Sequence, residues 1–135
     1  HPGVSMAIAQ SLNPRYATVV TGEQNGCDHS IVTDSDFQGV GGTAGMSPTT
    51  LLDGALAACV SMTIQIAADV RSTPLDSVRV EVTHETVDNQ TQFTLRVELT
   101  GDLTDRERVG LLRVLRGCPV SKILSNPIAI ELAEA

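Results

Sequence analysis

No charged side chain occurs between Asp53 and Asp69, and this stretch lies inside a longer helical pattern. Ser47-Pro48 opens the pattern: serine is a favoured N-cap, and proline suits the first helical position, where its missing N–H would have had no partner. The pattern runs to about Arg71, so roughly 25 residues at 1.5 Å each give a rod of about 37 Å. A chain of 135 residues folds to a radius of gyration near ~14 Å, so the helix is as long as its domain is wide. Ser61, Thr63 and Gln65 are the only longer polar side chains among small and aliphatic neighbours, which predicts a helix buried nearly all round. A membrane span needs about 20 apolar residues, more than the uncharged stretch supplies. A core helix is therefore expected, with a second copy of the chain helping to cover it.

Two patterns of strict alternation follow Pro74. Val78, Val80 and Val82 face one way and Arg79, Glu81 and Thr83 the other; Phe93, Leu95, Val97 and Leu99 then oppose Thr94, Arg96 and Glu98. A two-residue turn at Asp88-Asn89 sets Glu81 opposite Arg96 and Arg79 opposite Glu98, so charges and apolar faces pair in one register. Upstream, Arg15 to Thr21 and His29 to Thr33 read as strands joined by Gly22-Glu23-Gln24-Asn25-Gly26, and Gly39 to Gly45 as a pliable loop. Downstream, Thr104-Asp105-Arg106-Glu107 is a capping box opening an amphipathic helix through Arg116, which Gly117 ends. Cys118-Pro119 begins a short helix to about Leu124, and Ile128 to Leu132 reads as a last strand. The order predicts an α+β fold, with helices on one face of a mainly antiparallel sheet. Residues 1–135 read as a single domain, with 1–13 an N-terminal extension and 1–5, starting His1-Pro2-Gly3, an expression remnant before Met6.

Composition narrows the function. Sixteen acidic against nine basic side chains give a net charge of -7, and Tyr16, Phe37 and Phe93 are the only aromatic rings, so nucleic acid finds neither phosphate contacts nor stacking platforms. The apolar run Val4 to Ala9 is short, lacks a basic residue before it and has no cleavage pattern, so a cytoplasmic location is expected. Three cysteines are an odd number, too few for a disulfide scaffold, and fit a reducing compartment. No Cys-x-x-Cys occurs and His29 and His84 are the only internal histidines, so neither a metal nor another cofactor is expected. His84 falls on the inward side of its strand near Phe93 and reads as a satisfied core histidine. A Gly-x-Ser-x-Gly nucleophile elbow is absent as well.

Cys59, about three turns inside the helix, reads locally as a small core hydrophobe or as a reactive thiol. Cys118 stands at an N-cap position, where helix N–H groups favour a thiolate, and is open to both readings too. Cys27, beside Asp28 in a polar turn, reads as an incidental exposed thiol.

Ser47-Pro48-Thr49-Thr50-Leu51-Leu52, Ala55-Leu56-Ala57-Ala58-Cys59, Met62-Thr63 and Cys118-Pro119-Val120-Ser121-Lys122 together resemble the two cysteine motifs of the OsmC/Ohr family of thiol-dependent hydroperoxide reductases. The similarity takes in the Gly-rich loop, the Pro74-Leu75 step and Leu99-Thr100-Gly101-Asp102-Leu103. This resemblance implies an OsmC-like fold with a long buried central helix in an intertwined homodimer. It also implies organic hydroperoxide as substrate, Cys59 as the peroxidatic thiol, Cys118 as the resolving thiol, and an external thiol or dithiol as reductant. In the organic-hydroperoxide branch a Glu after the helix-starting Pro orients an Arg from the first turn. Here Thr49 and Thr50 follow Pro48 and the turn holds no basic residue, so Arg15, Arg71, His29 and Lys122 are the candidate substitutes across the dimer. The alternative reading is a noncatalytic stress-response or small-ligand-binding protein that lacks this activating pair.

Overall fold

Backbone hydrogen bonds order five strands and three α-helices in the computed structural model, which describes residues 5–135. The elements are β1 (Ile8–Ser11), β2 (Thr18–Gln24), β3 (Cys27–Thr33), α1 (Pro48–Val70), β4 (Leu75–Val87), β5 (Gln90–Gly101), α2 (Asp105–Arg113), a 3₁₀ turn (Val114–Gly117) and α3 (Pro119–Ser125). Both sheets are antiparallel, one ordered β1-β2-β3 and the other β4-β5, giving the α+β fold that the sequence predicts. The chain forms two compact units, one ending at Leu52 and the other running from Asp53 to Ala135. Residues 1–4 of the expected remnant lie outside the described residues.

In the first unit β2 and β3 pair over their whole length, from Thr18↔Thr33 to Gln24↔Cys27. The turn is therefore Asn25-Gly26 alone, both at positive φ, the geometry that lets a two-residue connection follow the strand twist. Within the expected N-terminal extension, Ile8–Ser11 is a strand paired with β2. Asp34 organises the glycine-rich loop after β3: its carboxylate accepts the backbone N–H of Ser35 (2.8 Å), Ala44 (3.0 Å), Thr43 (3.1 Å) and Tyr16 (3.3 Å). The Asp34 carboxyl is held below its ordinary value of 3.8, chiefly by the Ala44 N–H and against the opposing effect of burial. Glycine is required at position 45, where a Cβ would run into the Val32 carbonyl.

The second unit is built on one row of α1. Leu56, Val60, Ile64 and Ala68 recur every four residues, are buried, and meet Val78, Val80 and Val82 of β4 and Phe93, Leu95 and Val97 of β5. Each fully buried aliphatic side chain contributes roughly 1.5–3 kcal/mol. The hairpin register is the expected one, with Glu81↔Arg96 and Arg79↔Glu98 across a turn whose Asp88 and Asn89 both take positive φ. The one ion pair recorded among those four side chains runs along β4, from Arg79 to Glu81 at 3.7 Å. Thr104 and Glu107 form the capping box of α2, each side chain bonded to the other's backbone N–H. The Arg108 guanidinium donates to the Leu99 carbonyl and ties α2 to β5.

One expectation is corrected. The stretch Ile128–Leu132 is not a strand: it has no secondary structure, and Ile130 and Leu132 are 92% and 99% exposed. Its alternation is that of a strand, but a strand exists only against an edge, and among the described residues none pairs with it. Within one chain the hairpin covers one side of α1, and Met62, Ile66 and Val70 on another are 59%, 62% and 80% exposed.

Candidate functional site

Helix α1 carries Cys59 three residues after Leu56 and one before Val60, so its side chain sits at the border of the buried row and is half-buried. The Thr63 hydroxyl, one turn on, donates to the Cys59 carbonyl at 2.8 Å. Cys118 occupies the N-cap of α3, with extended backbone (φ -67°, ψ 117°) and Pro119 behind it as the first helical residue. Its carbonyl accepts the Lys122 N–H at 3.0 Å, and its own N–H bonds the Leu115 carbonyl at 3.1 Å, so the backbone is held from both sides. The side chain makes no cap hydrogen bond and is fully buried in the aliphatic cluster around Leu56, Val60 and Leu111.

Cys118 belongs to the buried cluster, and Cys59 packs against that cluster. Folding thus brings together thiols 59 positions apart in sequence, one on a helix side and the other at a helix start. The Cys118 thiol is pushed up from its ordinary range, first by burial, then by the neighbouring Cys59 thiol, and against the pull of the N–H groups of Ser121 and Val120. Local dipole reasoning, which favours a thiolate at Cys118, is thereby overturned: removal from water outweighs the start of a helix of about two turns. Cys27 lies exposed at the start of β3, opposite Gln24.

A cleft of about 370 Å³ opens between α1, β5 and α3, with Leu56, Phe93, Leu95 and Leu124 as its apolar lining and Gln90, Thr91, Gln92, Ser121 and Ser125 as its polar lining; neither cysteine lines it. Leu56 precedes Cys59 by three residues and Ser121 follows Cys118 by three, so the cleft wall stands about one helical turn from each cysteine.

Of the candidate substitutes for the activating pair, Arg71 and Lys122 lie in the same unit as Cys59. Thr49 and Thr50 point their hydroxyls at Ser47, at 3.2 and 2.9 Å, and serve the start of α1. Arg71 lies against Gly110 of α2, and no hydrogen bond among the described residues joins Arg71 or Lys122 to Cys59. Arg15 and His29 are exposed residues of the first unit. No group of three or more potential metal ligands occurs among the described residues.

A pairing that the sequence reading missed lies at the same end of the hairpin. His84 Nδ1 meets Asp53 Oδ1 at 2.5 Å, and the imidazole leans on Phe93 with ring centroids 5.4 Å apart. Two acceptors cannot face each other at that distance, so Nδ1 carries the proton and Nε2 is turned to the other side. His84 is thus the satisfied histidine its strand position predicts. The signal for its partner was Asp53 itself, the last charge before the uncharged stretch.

The family pattern described as OsmC-like protein matches residues 40–133. The chain belongs to the OsmC-like family. Solved OsmC-like structures share the fold. One from Mycoplasma pneumoniae, an OsmC-like protein, superposes with a TM-score of 0.75 at 19% identity, covering 93% of this chain and 89% of its own. The organic hydroperoxide resistance protein OsmC from Legionella pneumophila gives 0.62 at 22% identity over 90% and 89%. The organic hydroperoxide resistance protein OhrB of Bacillus subtilis gives 0.52 at 19% over 88% of each chain. No curated protein matches the sequence. Within the OsmC-like fold, both cysteines fall inside the matched region.

Proposed function

We propose that the chain reduces organic hydroperoxides with external thiols, Cys59 attacking and Cys118 resolving, as a cytoplasmic homodimer that needs neither metal nor organic cofactor. The observation that carries this reading is that folding gathers Cys59 and Cys118, far apart in sequence, at one aliphatic cluster. The Cys59 thiolate attacks the distal peroxide oxygen, the O–O bond breaks, and the alkoxide leaves and is protonated by water to the alcohol. Cys59 is now a sulfenic acid; the Cys118 sulfur displaces its oxygen, a disulfide forms, and water departs. Two electrons have passed from the thiols to the peroxide, and an external dithiol restores them by exchange. The cleft offers Leu56, Phe93, Leu95 and Leu124 to the apolar part of such a substrate and Gln92 and Ser121 to its oxygens. Two relatives of the same fold are named for organic hydroperoxide resistance, which supports the same class of chemistry.

The dimer accounts for two apolar surfaces at once. Met62, Ile66 and Val70 on α1, and the alternating Ile128, Ile130 and Leu132, want cover that one chain does not give. Sedimentation equilibrium should return twice the 14.2 kDa chain mass, and a monomer at micromolar concentration would remove this part of the reading.

Thr49 and Thr50, bonded to Ser47, favour the second reading, a noncatalytic binding protein that keeps the cleft. Turnover separates the two. Supplied with a dithiol, the catalytic protein consumes cumene hydroperoxide continuously and loses the activity in Cys59→Ser, whereas a binding protein consumes none and its two forms behave alike.

A further inference from the structure

Helix α2 gathers positive charge on one side. Val109, Gly110 and Arg113 follow Arg106 by three, four and seven positions, the spacing of a single helix face, and with Asp105 these residues line a hollow of about 490 Å³. Arg71, the first residue past α1, reaches the same place: its guanidinium lies 3.3 Å from the point where a side chain on Gly110 would begin. A glycine inside a helix weakens it, and here the missing side chain leaves room for that guanidinium. Three arginines are thus gathered about Gly110. None of them has an acidic partner among the described residues, where the recorded ion pairs are Arg79–Glu81 and His84–Asp53. The arginine side-chain hydrogen bond recorded there belongs to Arg108, and the nearby Glu107 carboxylate is spent on the Thr104 N–H. Unpaired arginines stand out in a chain whose sixteen acidic side chains outnumber its nine basic ones.

We propose that this hollow is an anion site for a phosphoryl group, Arg71, Arg106 and Arg113 binding the doubly charged end of a phosphate monoester or inorganic phosphate. The chemistry of the walls selects that group. Planar guanidiniums offer forked N–H donors that match phosphate oxygens, and three of them can share the oxygens of one tetrahedral anion. Three guanidiniums against the single carboxylate of Asp105 leave two positive charges, which a phosphate dianion matches and a lone carboxylate does not. Val109 gives the carbon beside the ester oxygen an apolar contact. The chain's net charge of -7 does not prevent binding, because charges more than about 8 Å away are screened at physiological salt. Neither cysteine lines the hollow, so the site stands apart from the thiol chemistry.

The test is a titration of the isotope-labelled full chain with inorganic phosphate at fixed ionic strength, followed by nuclear magnetic resonance. The Gly110 amide and the Nε–H signals of Arg71, Arg106 and Arg113 should move together and saturate, and chloride should move none of them. Arg71→Gln, Arg106→Gln and Arg113→Gln should each weaken binding about tenfold, while Arg96→Gln, at an exposed arginine of β5, leaves it unchanged. All four positions are exposed, and the same spectra check that each variant is folded. Shifts that never saturate would overturn the proposal. So would equal affinity in the parent, Arg106→Gln and Arg113→Gln, or an equal loss in Arg96→Gln. A second arm finds the source of the phosphoryl group by sedimenting the protein with phosphatidylcholine vesicles that contain phosphatidic acid. Sedimentation that requires the three arginines places the group on a lipid headgroup; phosphate binding without it places the group on a soluble molecule.

Discussion

The two units hold themselves together by different means. In the first, the described buried side chains are Ala17, Thr33 and Asp34, and order in the glycine-rich loop comes from one carboxylate gathering four backbone N–H groups. In the second, order comes from aliphatic burial, with Leu56, Val60, Ile64, Ala68, Leu99 and Leu111 in one cluster around Cys118. The contrast bears on the proposed chemistry. Cys118, inside an aliphatic cluster, is shielded from water and fixed by packing, whereas a polar loop shaped by hydrogen bonds gives way once its acceptor is neutralised.

Substitutions that touch one mechanism and not the other should sharpen this contrast. The largest effect is expected from Ile64→Ala, which removes a fully buried side chain and should cost about 2–5 kcal/mol in urea unfolding. Ile31→Ala, at a position 43% exposed in the first unit, should stay within about 1 kcal/mol. Similar losses at both sites would erase the distinction. Next comes Asp34→Ala, after which the amides of Ser35, Thr43 and Ala44 should exchange faster with solvent while those of β4 and β5 keep their protection.

The same carboxylate gives the first unit an acid dependence of known sign. Its folded value lies below 3.8, so its contribution is complete above that pH and is lost as pH falls through the lower folded value. Loop protection should fade in that window in the parent protein and show no such step in Asp34→Asn. A smaller effect belongs to Asp53–His84, whose side chains are 19% and 25% exposed. A double-mutant cycle of Asp53→Asn and His84→Gln should give a coupling of about 1 kcal/mol at neutral pH. Additive losses would show that the pair does not clasp α1 to β4.

Much of the fold was legible because its signals are local. The β4–β5 register follows from two agreeing alternations, the α2 start from Thr104 and Glu107, and the α1 start from Ser47-Pro48. What escaped depends on partners distant in sequence. Ile8–Ser11 pairs with β2 although its own residues carry no clear period, and Ile128–Leu132 has the period without an edge. At the site, both cysteines and their motifs could be read directly. The inversion of their local chemistry could not, since the burial of Cys118 is decided by residues from α1, β5 and α2 that converge only in the fold. Asp53 and His84 were each visible, but their meeting requires the antiparallel run of β4 along α1.

The most direct test treats the reduced protein with one equivalent of cumene hydroperoxide and maps cysteine linkages by non-reducing peptide mass spectrometry. Thiol chemistry centred on the buried pair predicts loss of two thiols per chain and a single Cys59–Cys118 disulfide, with Cys27 still free. Three thiols intact after the peroxide treatment, or a linkage that includes Cys27 in place of Cys118, would contradict it.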